Sequence, residues 1–302
     1  MPTASDEARR PAPSAGALSD ADAEELARSN GLTLLTARPS FPDYVRDLWQ
    51  RRGFVLTLSQ GRTEARYQNN RLGRLWSVFN PMLLILSYFL IFGVLLGTRR
   101  GVDNFIGFLS IGVIVFGVSG SVISSGARSI TGNTGLVRAL RFPRAVLPVS
   151  VGVTEVLAAL PAFGVLVVLM LVSGERPTWT WLLLPLAVAL QLVQVIGLAL
   201  IAARITHGSR DLANLIPLLL RLLRYTSGVF FSISHYTARA PSVGHVLEYQ
   251  PFALQLETVR QSLLAETPLE LMPWIASAIW AVVLLGGGLV FFWRGEATYG
   301  RG

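Results

Sequence analysis

Six long stretches of the chain are nearly devoid of polar side chains: residues 75–97, 105–125, 146–172, 179–203, 212–234 and 273–293. An α-helix needs about 20 residues to cross roughly 30 Å of hydrocarbon at ~1.5 Å per residue. The pattern therefore predicts an all-α integral membrane protein with six transmembrane helices. The third stretch begins close to Pro148, which a first helical turn tolerates, and the fourth opens with Trp179 and Trp181, side chains suited to the interface. The segments between the stretches have other patterns. Over residues 44–59, Tyr44, Val45, Leu48, Trp49, Val55 and Leu56 interleave with Arg46, Asp47, Arg51 and Arg52. This predicts an N-terminal amphipathic helix lying in the membrane interface, with Gly53 as its weak point. Residues 127–145 are basic and carry an apolar stripe at Leu136, Val137, Leu140 and Phe142, predicting a short cytoplasmic helix between spans two and three. Residues 235–272 set Phe252, Leu254, Leu256 and Val259 among Gln255, Glu257, Arg260 and Gln261. They predict short re-entrant or amphipathic helices on the outer side before span six, too polar to cross. Residues 1–40 hold too little apolar surface for a core and read as a disordered cytoplasmic tail. No apolar region follows their early arginines, as a signal peptide would require. Residues 41–302 then form a single membrane domain.

The fifth stretch departs from this plan, because Arg221 and Arg224 lie well inside it. An arginine at the centre of a crossing helix costs roughly 2.5–3.5 kcal/mol on insertion scales. The two share a face with Pro217 and Gly228, so that face is expected to meet protein or a wet cavity. Glu155 is the one acid within any stretch, and such an acid normally has a partner. Arg221, Arg224 and Arg128 are the candidates. One acid without an inverted repeat argues against a proton-coupled secondary transporter. Phe79, Tyr88, Phe89, Phe92, Tyr225, Phe230 and Phe231 concentrate aromatic rings in spans one and five. Such faces stack on sugar rings, and they equally serve as packing. Gly93 with Gly97, the ladder Gly117, Ser121 and Ser125, and the run 286–288 are candidate helix contacts.

Composition narrows the function. The chain is 52% hydrophobic and 15% charged, against about 25% charged for soluble domains. It contains no cysteine, which removes disulfide and thiolate chemistry, and no lysine: all 26 basic residues are arginine. A P-loop needs its lysine on the phosphates, and Schiff-base catalysis needs one too. His207, His235 and His245 lack metal-ligand spacing. The net charge of +8 suits loops facing anionic lipid and does not call for nucleic acid. Nineteen arginines fall on one side of the predicted bundle and five on the other, which places both termini in the cytoplasm.

Arg66-Tyr67, Leu72-Gly73, Leu75-Trp76 and Asn80-Pro81 resemble the approach to the first span in type-2 ABC permeases that export polysaccharide, a group that includes O-antigen, teichoic acid and galactan exporters. Leu136-Val137-Arg138, Phe142-Pro143-Arg144 and Leu147-Pro148 resemble the coupling helix and third span of that family, and Arg210-Asp211 also matches. Gln250-Pro251 stands where the family more often has Asn-Pro. The resemblance runs from about Tyr44 to Trp293. It implies a homodimeric channel in the cytoplasmic membrane, powered by two copies of a separate ATPase that binds ATP and Mg, with no cofactor in this chain. The cargo implied is a polyprenyl-pyrophosphate-linked glycan, and the alanine- and arginine-rich composition points to a cell-wall galactan. Asn133, Leu136, Val137, Arg138, Arg141, Phe142, Pro143 and Arg144 would contact the ATPase. Arg66, Arg71 and Arg74 would receive the lipid head. Arg221, Arg224, Tyr225, Phe230, Phe231, Tyr88 and Phe92 would line the path. Two other readings stand beside it: a type-2 ABC permease for drugs or small lipids, and a membrane enzyme acting on polyprenyl phosphate.

Overall fold

A computed structural model of the chain describes residues 39–66, 75–97, 102–140, 142–209, 211–233 and 241–299, together with 26 and 29. The chain divides into Met1–Pro39 and Ser40–Gly302, and every element below lies in the second unit. Among the described residues all regular structure is helical.

Two short helices come first, α1 (Phe41–Gln50) and α2 (Arg52–Ala65). Ser40 caps α1 by accepting from the Asp43 backbone N–H at 3.4 Å. The break between the two falls at Arg51 (φ −88°, ψ 15°), two residues before Gly53, which sits inside α2. Next, α3 (Trp76–Tyr88) runs on through wider π-helical turns over Phe89–Leu95. After it comes α4 (Phe105–Ala127), started by Asn104, whose side chain accepts from the Gly107 N–H at 2.9 Å. A 3-10 turn at Thr131–Asn133 leads to the single-turn-and-a-half α5 (Thr134–Ala139). Then come α6 (Val146–Val172), α7 (Leu184–Gly208, opened by a 3-10 turn at Trp179–Leu183) and α8 (Leu212–Thr226). The last are α9 (Pro241–Glu248), α10 (Pro251–Leu263) and α11 (Leu271–Arg294), followed by a 3-10 turn at Glu296–Thr298.

Five helices among the described residues are long and apolar enough to cross a membrane: Trp76–Leu95, α4, α6, Trp179–Gly208 and α11. The fifth apolar stretch does not give a sixth. Its helix α8 stops after 15 residues, about 22 Å, because Ser227 caps it and Gly228 turns the chain at φ +74°. A left-handed glycine just past the last turn is a common helix stop.

The core forms around α4, which packs on α6, α7, α8, α10 and α3. Leu109, Ile111, Val115, Phe116, Leu166 and Leu256 are buried there almost completely. Two glycine contacts let α7 approach its neighbours closely. A Cβ on Gly126 of α4 would sit 2.5 Å from the Ala199 Cβ, and one on Gly288 of α11 would sit 2.5 Å from the Gly197 carbonyl oxygen. By contrast, Gly117, Gly286 and Gly287 face open space. The ladder of small residues in α4 therefore opens onto a cleft and is not a tight helix contact.

A buried polar layer crosses this core. Gln255 of α10 donates to Gln194 of α7 at 2.9 Å and accepts from Ser119 of α4 at 2.7 Å. Gln194 donates to the Ser277 hydroxyl and carbonyl of α11 at 2.7 and 2.9 Å. Gln191 donates to the Val115 carbonyl at 2.7 Å and to the Ser119 hydroxyl at 2.9 Å. Four helices are tied together by groups that find no water in such surroundings. The layer holds α10 among the spans, and α10 is buried except at Pro251 and Glu257, which are half-buried.

Candidate functional site

A polar seam joins the helix α2 to the span α6. The Ser59 hydroxyl of α2 donates to the Ser150 carbonyl at 3.0 Å. Arg62, one turn on, donates to the Ser150 hydroxyl at 2.9 Å and to the Asn133 side-chain oxygen at 3.2 Å. Burial pulls the Arg62 guanidinium below the usual arginine range. One more turn on, Arg66 makes a forked contact with Glu155, at 3.1 and 2.5 Å. The Ser125 hydroxyl of α4 donates to the same carboxylate at 3.2 Å. Glu155 thus pairs with Arg66, and not with Arg128, Arg221 or Arg224. The physical reason is the placement of α2 alongside α6, which brings the i, i+4 face of α2 to the acid before any span can. Glu155 is buried and Arg66 half-exposed, so the pair stands in the wall of a cleft. That cleft, about 390 Å³ between α3, α4 and α6, also meets Trp76, Asn80, Gly117 and Ser121.

The segment between α4 and α6 is pinned at both ends. Asn133 bonds Arg62 as above and donates to the Ser129 carbonyl at 2.8 Å. At the far end Arg144 meets Glu296, which follows α11. The Arg144 backbone N–H donates to the Glu296 carboxylate at 3.1 Å, and its guanidinium donates to the Glu296 carbonyl. The Tyr44 hydroxyl of α1 donates to the same carboxylate at 2.8 Å and accepts from the Ala145 N–H at 3.1 Å. Burial raises the Glu296 carboxyl above its ordinary value, while the Arg144 N–H, the Tyr44 hydroxyl and the Arg144 charge act against it. Burial also raises Tyr44, so it stays a neutral donor. The apolar stripe of the segment mostly turns inward. Val137 and Pro143 are buried, Leu136 is half-buried, and Phe142 meets the Phe54 ring edge-on at 5.7 Å. Within α5 and the residue after it, the outward positions are Thr134, Gly135, Arg138, Ala139 and Leu140.

The aromatic residues of spans one and five do converge. Phe230 stacks on Phe92 with centroids 4.6 Å apart, meets Tyr88 edge-on at 4.9 Å and lies 5.5 Å from Tyr225. Arg224 donates to the Tyr88 hydroxyl at 3.2 Å and lies 5.4 Å from the Phe116 ring centroid. Phe230 is buried and Phe231 half-buried, whereas Tyr225 and Arg221 are exposed along α8. Arg224 is thus braced by its own chain, and Arg221 faces outward. Arg71, Arg74 and Arg141 lie outside the described residues.

Three features escaped the sequence reading: Arg62 as a bridge, the Tyr44–Glu296 clamp, and the glutamine layer. Only the last had a local signal, since Gln191 and Gln194 stand on one face of an apolar stretch and polar groups there seek partners.

The family model for ABC-2 type transporters matches residues 54–264, from α2 to just past α10. The O-antigen export system permease protein RfbA of Myxococcus xanthus is 34% identical over 190 residues, which cover 63% of this chain and 72% of that protein. Two RfbA proteins of Klebsiella pneumoniae with the same description are also similar. One is 29% identical over 170 residues, covering 56% of this chain and 65% of the relative. The other is 25% identical over 199 residues, covering 66% and 75%.

Proposed function

Since the chain belongs to the ABC-2 type transporter family, we propose that it is the membrane-crossing permease of an exporter for a polyprenyl-pyrophosphate-linked polysaccharide. Cell-wall galactan, O-antigen and teichoic acid are polymers of this class. Two copies of the chain form the channel, both termini lie in the cytoplasm, and two copies of a separate ATPase bind ATP and Mg beneath it. Residues 41–302 act as one membrane domain, with 1–40 as a cytoplasmic tail. The chain passes the membrane a sixth time through α8 and the segment beyond Gly228, while α9 and α10 dip in from the outer side.

The observation that carries this reading is the bridge made by Arg62. One side chain touches both Asn133, at the edge of the ATPase-facing segment, and Ser150, at the base of span α6. On the next turn Arg66 stands at the mouth of the cleft. Motion of the docked ATPase therefore reaches the helix that receives the lipid head. Guanidinium groups suit that task because their forked donors match phosphate oxygens. Arg71 and Arg74 extend the same basic run. The similarity to permeases of O-antigen export supports a polymer cargo over a drug or small lipid.

The test is depletion of the chain in its own cell, with lipid-linked glycan followed by leaflet. Accumulation on the cytoplasmic side, and hydrolysis by the co-purified ATPase that rises when the glycan is added, are the expected results. Drug sensitivity alone would support the small-molecule reading. Turnover of polyprenyl phosphate by the chain without any ATPase would make it an enzyme.

A further inference from the structure

The junction between the ATPase-facing segment and α6 is closed by groups from both ends of the membrane domain. Some of its backbone donors are satisfied at home. The Val146 N–H donates to the Pro143 carbonyl at 3.0 Å and the Leu147 N–H to the Arg144 carbonyl at 3.1 Å, while Pro148 has no N–H to place. Two donors find their acceptors far away. The Arg144 N–H reaches the Glu296 carboxylate, 152 residues on, and the Ala145 N–H reaches the Tyr44 hydroxyl, 101 residues back. Tyr44 in turn donates to Glu296, and the Arg144 guanidinium pairs with the same carboxylate at 3.8 Å. Ala145 is the N-cap of α6 and offers no capping side chain of its own. A hydroxyl and a carboxylate from other elements do that work here.

This ring of bonds is dry. Ala145 is fully buried, Tyr44 is 1% exposed and Glu296 7%. Around them Val137, Leu147, Leu200, Phe292 and Tyr299 belong to a buried cluster separate from the one around α4. With no solvent at hand, each bond is strong while made and costly to break. Helix α1 also leans on α11, with Phe41 edge-on to Trp293 at 5.5 Å. Tyr44 and Glu296 both lie outside residues 54–264, the region that the family model matches.

We propose that Tyr44 and Glu296 are positioning residues for energy coupling: they lock the joint at Arg144–Ala145, so that a displaced segment carries α6 with it and does not bend the chain there. The proposal rests on the function proposed above. The segment is held at its first end by Arg62 and at its last by this lock. Held at one end, it could swing about Asn133; held at both, it moves only with α6. Ser150 lies about one and a half turns beyond the joint and takes the bonds from Ser59 and Arg62. Glu155 lies about three turns beyond it and takes the fork of Arg66. A rigid joint therefore delivers motion to both contacts of α2, and a loose one absorbs part of it.

The test uses the full-length chain with the ABC ATPase of its own cell, in lipid nanodiscs. The sequence has no cysteine, so a spin label on Gln60→Cys, an exposed position of α2, reports the far side of the joint without background. Trapping the ATPase with ATP and vanadate should shift the label's spectrum. Tyr44→Phe removes the acceptor of the Ala145 N–H, and Glu296→Gln leaves one acceptor oxygen where the wild type has two. Each should shrink the shift, per captured complex, about three-fold or more. Capture itself should hold, since neither residue is on the outward edge of α5. A pair that only adds stability would lower the melting temperature and leave the shift per captured complex whole. That result, or a wild-type label that trapping does not move, would overturn the proposal. Glu296→Gln decides the matter where Tyr44→Phe fails to fold. A wild-type chain that captures no ATPase would refute the function proposed above and the lock with it. Capture with a shift that both variants leave whole would refute the lock alone.

Discussion

Helices α3 and α4 are adjacent and equally apolar, yet the fold treats them in opposite ways. Of the most apolar window of each, 11% is buried for Trp76–Leu95 and 78% for α4. Leu83, Leu86, Leu90 and Leu95 of the first point outward, while Leu109, Ile111, Val115 and Phe116 of the second touch only protein. Hydrophobicity cannot produce this difference, because lipid tails are as apolar as leucine. Small and polar side chains do. α4 carries Gly112 and Gly126, which let the Val229 backbone and Ala199 approach closely, and Ser119 and Ser125, which reach Gln255 and Glu155. The helix Trp76–Leu95 has Gly93, which packs near Phe105, and Tyr88, which meets Arg224. Its outer face, like that of α8, is exposed.

The contrast is sharpest for one leucine on each helix. Leu109→Ala should cost about 2–5 kcal/mol of stability, since the cavity it leaves cannot collapse, and Leu86→Ala should stay within about 0.5 kcal/mol. Thermal melts in one detergent compare the two, and equal costs would break the distinction. A similar pair exists within α4. Gly126→Val drives a side chain into Ala199 and should cost about 1–3 kcal/mol or more, whereas Gly117→Val faces the cleft and should be nearly silent in the same melts.

The ion pair extends the contrast to charge. Arg66→Leu leaves Glu155 buried without its cation. Breaking a wholly buried pair costs about 3–5 kcal/mol, and the half-exposure of Arg66 brings the expectation nearer ~2 kcal/mol. The double variant with Glu155→Gln should recover part of the loss, as a double-mutant cycle would show. Pairing of Glu155 with Arg224 instead would leave Arg66→Leu neutral.

Glu296 gives the smallest effect. Its folded pKa is raised, so between the unfolded value near 4.5 and the folded one the native state holds the proton more tightly. Stability from this group therefore falls as pH rises through that window. Glu296→Gln should flatten this slope in melts taken across it.

The sequence foretold the spans better than their connections. Stretch 146–172 became α6 with the same bounds, and 105–125 became α4 with two residues added. Both are set by local composition. The fifth stretch forms a shorter helix than its apolar content suggests, because Ser227-Gly228, a stop signal in plain view, ends α8. Glu155 was assigned to spans because depth along a helix is legible, whereas the placement of α2 beside α6 is not: Arg66 is 89 residues away in the chain. Tyr44 and Glu296 are 252 residues apart, and nothing near either one marks the other. The aromatic cluster was legible as a set of rings, but only the fold shows Phe230 buried and Tyr225 exposed.

The central claim is that a separate ATPase drives this chain through the exposed edge of the segment between α4 and α6. Its most direct test is co-purification of the full-length chain with the ABC ATPase of its own cell, beside the double variant Arg138→Glu/Leu140→Glu. Both positions face outward, and the hydrogen bonds given above for Tyr44, Glu296 and Arg62 do not involve them. The account predicts an equimolar complex with the wild type and its loss in the variant, while the variant's melting temperature holds. A wild-type chain that captures no ATPase, or a variant that captures it as well, would contradict it.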